Sequence, residues 1–104
     1  MTIHEGSLVR VDTATKNGRP GVVVDTLPDG LVVVLWGTGT LRPHLSHVTV
    51  VPREPAGRAL GLAKTTYFYG SNAWKGLPES KRLHEQPGTC PRYLLVALRA
   101  IVLE

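Results

Sequence analysis

Cysteine is what this chain has least of: one thiol, Cys90, in 104 residues. A lone thiol excludes an internal disulfide. It also leaves a Cys/His metal centre without ligands, because no second thiolate exists and the four histidines are scattered. Neither metal nor cofactor is expected. Long apolar runs are missing as well, so no segment spans a bilayer and no membrane partner is expected. The N-terminal stretch lacks the charged start and apolar block of a signal peptide, which makes the cytoplasm the expected location. No internal repeat or low-complexity tract is present.

What remains is an ordinary globular composition, 42% hydrophobic and 19% charged. Its length fits one domain over residues 1–104, large enough to bury a core without staples. The formal charge is +4 with histidines neutral, and the pI is about 9.6. Such a balance permits an anionic partner such as nucleic acid; a merely solvated basic surface gives the same number.

Most of the chain reads as short strands. Ser7–Asp12, SLVRVD, alternates apolar and polar residues, as a half-buried strand does. Thr13–Gly18 is a polar loop ending in Asn-Gly, a turn signal. Gly21–Thr26 is a valine-rich strand, and Pro28-Asp29-Gly30 turns it into a hairpin with the next. Leu31–Trp36 is continuously apolar, which suits a strand covered on both faces. Gly37–Thr40, GTGT, breaks it, and Val48–Val51 is a fourth strand closed by Pro52.

Arg53–Arg58 reads as a polar loop, Leu60–Tyr69 as a fifth strand, and Gly70–Leu77 as a turn or short sixth strand. Pro78–Gly88 shows no sharp period. Thr89 can cap a helix and Pro91 fits its first turn, which predicts a helix over Pro91–Leu103. An apolar run of this kind also fits a core strand. As a helix it carries only Arg92 and Arg99 as charges, with apolar residues over most of its circumference. A monomer's amphipathic helix has a wide polar face. The expectation is therefore a helix packed on the sheet on one side and on an identical subunit on the other, through residues 93–103.

The segment NGRPGVVV, Asn17–Val24, places an arginine at the mouth of a strand. Pro20 fixes one backbone angle and removes a donor, which predicts Arg19 in the preceding loop and the strand from Pro20 on. A cation pinned there suits an anionic ligand; a solvated loop cation is the plainer reading. Trp36 and Trp74 offer stacking faces for bases or simply fill the core. Cys90 beside Pro91 reads as a small core or cap residue rather than a nucleophile.

The order of these features resembles the MazF/PemK (Kid) family of toxin endoribonucleases. GSLVRVD stands for the family's opening strand, RPGVVV for its Arg-Pro step and valine strand, and VVVLWGTGT for the third strand and threonine turn. LGLAKTTYFYGSNAWKGLP and the apolar C-terminal stretch follow in the same order, so the likeness covers nearly the whole chain. It implies a mainly β fold: a small, strongly curved SH3-like barrel of five to six strands with a C-terminal helix. It also implies cleavage of single-stranded RNA without a metal, the ribose 2′-hydroxyl attacking the neighbouring phosphorus. A homodimer neutralised by an antitoxin protein belongs to the same picture.

By that resemblance Arg19 and Thr38 correspond to the catalytic arginine and threonine, with Thr40 as the alternative for the latter. A guanidinium offers a planar fork of donors to phosphate oxygens, and hydroxyl donors stabilise the same developing charge. Arginine is a poor base, so a histidine suits proton transfer better. His44 and His47 follow the GTGT turn closely enough to approach the cleft. Lys16, in a loop shorter than the family's, adds a cation for substrate. GSLVRV, GRPGVVV and LVVVLW equally resemble KOW and Tudor-like SH3 barrels, which hold nucleic acid or protein without cutting it.

Overall fold

The computed structural model describes residues 3–102. Its elements run β1 (Ser7–Val11), β2 (Arg19–Thr26), β3 (Val32–Thr38), β4 (His47–Val50), α1 (Pro55–Leu60), β5 (Thr66–Gly76), β6 (Leu83–Thr89) and α2 (Arg92–Val102). The strands form one sheet, in the order β4-β5-β3-β2-β1-β6, and every pairing is antiparallel. The mainly β class and the C-terminal helix hold. The sheet is open rather than closed into a barrel, with β4 and β6 as its edges.

Both faces of the central strands are covered, as the apolar run in β3 predicts. On one face Leu8, Val22, Val24, Leu35 and Phe68 pack with Leu94 and Leu98 of α2. On the other, Val9, Val11, Val23, Val32, Val34 and Leu83 form a second cluster, flanked by Trp36 and Trp74. Burying a leucine such as Leu94 or Leu98 contributes about 1.5–3 kcal/mol, so α2 is held mainly by the sheet beneath it.

Four expectations need correction. Arg19 is the first residue of β2, paired with Val11, and does not lie in the loop. The ladder with β3 begins only at Gly21, so Pro20 has β1 alone beside it and its missing donor removes no β3 bond. The supposed loop over 53–58 holds helix α1, with Pro55 in its first turn and Gly61 ending it in the left-handed conformation. The fifth and tentative sixth strands are one strand, β5, of 11 residues. The featureless segment 78–88 contains most of β6, an edge strand that gives only Leu83 to the core and so shows no alternation. An edge is also where Pro87 is tolerated.

The apolar surplus of α2 is largely absorbed by its own chain. Leu95, Ile101 and Val102 pack against the first cluster, while Tyr93 and Val96 stay exposed, at 50% and 57%. Leu103 lies outside the described residues.

Candidate functional site

The β1–β2 loop delivers Arg19 in a fixed position because both of its ends are tied. Asp12 Oδ1 accepts from the Gly18 N–H at 2.8 Å, and Oδ2 pairs with His84 Nε2 on β6 at 3.0 Å. These bonds, His84 first, hold the Asp12 carboxyl below its ordinary pKa. Thr13 closes the loop on Lys16 through its backbone and its hydroxyl. Gly18 takes a φ of 71°, which favours glycine.

From there Arg19 lies over the Trp36 ring, its guanidinium carbon 5.3 Å from the ring centre. Its Nη1 donates to Thr38 Oγ1 at 3.2 Å, and its buried Nε has no hydrogen-bond partner among the described residues. Trp36 thus carries the arginine rather than standing free for a base. Thr38 Oγ1 also accepts the Thr40 N–H at 3.3 Å. Two N–H groups fill the lone pairs of a hydroxyl, so its own proton is left to donate. Thr38 therefore acts as an oriented O–H donor beside a guanidinium.

The far wall is fastened by Tyr69. Its side chain is 2% exposed, and its hydroxyl accepts the Arg42 N–H at 2.6 Å and donates to the Thr40 carbonyl at 2.7 Å. One phenol on β5 thereby fixes the loop after β3, and through Thr40 it fixes the Thr38 hydroxyl.

Two clefts meet at Arg19 and Thr38. The first, about 240 Å³, brings Arg10, Lys16, Arg19 and Lys64 around the Gly37-Thr38-Gly39 backbone. The second, about 160 Å³, lies on the other side, between Trp36, Arg42, Tyr69 and Asn72. Among the described residues no carboxylate and no histidine lines either cleft. Clustered cations give the junction a chemistry suited to anions, and a planar guanidinium matches phosphate oxygens in particular.

Of the residues expected from sequence, Arg19, Thr38, Lys16, Trp36 and Thr40 gather here, Lys16 in the first cleft and Trp36 and Thr40 in the second. His44 is exposed and lines neither cleft. His47 opens β4 and packs its ring against Tyr67 and Tyr69, with Nδ1 donating to the Leu45 carbonyl at 2.8 Å. It touches the site only through Tyr69. Trp74 packs beside the second core cluster.

Sequence reading missed Arg10, Lys64, Arg42 and Asn72. Arg10 carried a signal, since it shares the face of buried Leu8 in the alternating first strand. Its Nη2 donates to the Leu60 carbonyl at 2.8 Å, closing the end of α1. Lys64 lies across Gly39, where its Nζ comes within 2.9 Å of the point a Cβ would occupy. Arg42 and Asn72 carried no local signal. Cys90 stays outside the chemistry: burial pushes its thiol up to about 11, which keeps it protonated at neutral pH.

No protein-family model and no curated protein matches this chain.

Proposed function

We propose that this protein binds single-stranded RNA along the first cleft and cleaves it by metal-independent transesterification. The observation that carries this reading is the Arg19–Thr38 pair, set with three further cations and no carboxylate among the described lining residues. The ribose 2′-oxygen forms a bond to phosphorus as the bond to the 5′-oxygen breaks, water taking the 2′-hydroxyl proton and returning one to the 5′-oxygen, which leaves a 2′,3′-cyclic phosphate and a free 5′-hydroxyl. Arg19 and the Thr38 O–H face the charge that gathers on the non-bridging oxygens. The toxin role and an antitoxin partner belong to the same resemblance and stand or fall with it.

A second reading draws on the lining itself. With no histidine or carboxylate in either cleft, proton transfer has no side chain of suitable pKa there. The same site without that group is a non-catalytic nucleic-acid-binding module of the KOW type. One assay separates the two: incubate the protein with single-stranded RNA in EDTA and map the ends. Cleavage with cyclic-phosphate ends, reduced ~10²–10³-fold in Arg19→Ala, is expected. RNA left equally intact by wild type and Arg19→Ala ends the enzyme reading, and salt-sensitive binding without products then favours the module.

A second copy is the proposed partner of α2. Tyr93 and Val96 are its exposed large apolar residues, and Val51, 42% exposed, is linked to Tyr93 through Glu54, which bonds both the Val51 N–H and the Tyr93 hydroxyl. A strict monomer by light scattering at micromolar concentration contradicts the dimer.

A further inference from the structure

The second cleft adjoins the proposed phosphate site, yet it is built from different chemistry. We infer that it is a nucleobase subsite that selects guanine in the RNA strand; this rests on the RNA reading above. A strand whose phosphate sits on Arg19 and Thr38 has its neighbouring base within reach of the space they share with Trp36, Arg42 and Asn72.

The cleft owes its shape to an irregularity in the sheet. Leu35 pairs with Ala73 and Gly37 with Phe68, so Trp36 alone stands opposite Tyr69, Gly70, Ser71 and Asn72. This bulge in β5 brings both Tyr69 and Asn72 into the cleft wall. Such bulges re-aim side chains next to functional sites. Tyr69 then fastens the opposite wall by its two bonds to Thr40 and Arg42. The cleft is therefore formed before any ligand arrives. Arg19 and Trp36 both line it, the guanidinium carbon 5.3 Å from the ring centre, and a guanidinium is a platform on which a single-stranded base stacks.

Of the polar lining, Arg42 supplies only side-chain donors, Asn72 supplies both donor and acceptor, Thr15 and Thr40 add hydroxyls, and no carboxylate stands among the described lining residues. Guanine presents two adjacent acceptors, O6 and N7, which match the fork of an arginine. Adenine places an amino donor where O6 would be, which Arg42 cannot accept and the Asn72 carbonyl can, so the selection of guanine rests on Arg42.

The test is fluorescence anisotropy at low salt, using a labelled oligouridine with one central guanosine, adenosine or cytidine. Wild type is expected to bind the guanosine strand ~10-fold more tightly than the others. Arg42→Ala is expected to lose that preference while still binding RNA. Lys64→Gln, in the other cleft, is expected to weaken all strands alike. Tyr69→Phe is expected to reduce the preference with every cleft-lining cation still present. Both Arg42 and Asn72 retain some exposure, so their variants fold, and circular dichroism verifies this. RNA binding without base preference, or with a preference for another base, overturns the guanine subsite and leaves the RNA reading intact. So does a guanosine preference that survives in the Arg42→Ala, Asn72→Ala double variant. Absence of any RNA binding by wild type overturns both.

Discussion

Thr38 shows how much of a residue's role is decided by its partners. A threonine in a glycine-rich turn is ordinary turn chemistry until its hydroxyl is seen to accept from both Arg19 and Thr40. With both lone pairs engaged, the hydroxyl has one thing left to offer, a proton directed at the ligand. Thr38→Ser keeps that arrangement; Thr38→Val removes the donor and also strands the Arg19 N–H. On the transesterification reading, Thr38→Val lowers kcat by ~10²-fold, and Thr38→Ser stays within a few-fold of wild type. Steady-state cleavage of a fluorogenic RNA measures both. Equal losses in the two variants mean that the hydroxyl plays no part.

At the scale of elements, α1 and the turn after β3 place two glycines under opposite constraints. A Cβ on Gly57 would run into the Val51 carbonyl oxygen and the Pro52 backbone, neither of which can swing aside. A Cβ on Gly39 meets only the Lys64 side chain, at 2.8 Å, and that chain can move. Gly57→Ala is therefore expected to cost about 1–3 kcal/mol, as overpacking does, and to lower Tm accordingly. Gly39→Ala is expected to leave Tm unchanged and to weaken RNA binding by displacing Lys64. Thermal melts beside anisotropy titrations separate the two effects. Helix α1 was also hard to see in the sequence. Pro55 and Gly61 mark its start and stop, but six residues give no helical period to read. The hairpin at Pro28-Asp29-Gly30 was legible because turn chemistry is local, and α2 because it runs for three turns. The joining of β5 across Gly70–Asn72 was not, since glycine, serine and asparagine mark a turn wherever tertiary pairing does not overrule them. Arg19 and Thr38 were legible as site residues for the same local reason, whereas Arg42 and Asn72 are united with them only by the folded sheet.

For the whole molecule the deciding quantity is where its surplus of positive charge lies. The net charge of +4 could be spread evenly, and then it would carry no functional meaning. Instead Arg10, Lys16, Arg19 and Lys64 come from β1, the β1–β2 loop, β2 and the segment before β5, and converge on one cleft. No acidic residue among the described residues lines it. Asp12, the nearest acidic residue along the chain, is occupied by His84 and the Gly18 N–H. This asymmetry fixes a salt dependence. If all four cations neutralise phosphates, log K falls against log salt with a slope of about −0.7 per contact on a single strand, or roughly −3 in total. Raising salt from 50 to 200 mM then weakens binding by ~50-fold. Lys64→Gln is expected to make the slope shallower by about 0.7, and Lys16→Gln likewise, with the two changes adding. Arg58→Gln, an exposed change on α1 outside both clefts, leaves the slope where it was. Titrations of a labelled oligouridine at four salt concentrations give these slopes directly. Equal shifts from Lys64→Gln and Arg58→Gln would mean that the strand senses only the overall charge of the protein, and the cleft would lose its claim to the phosphates.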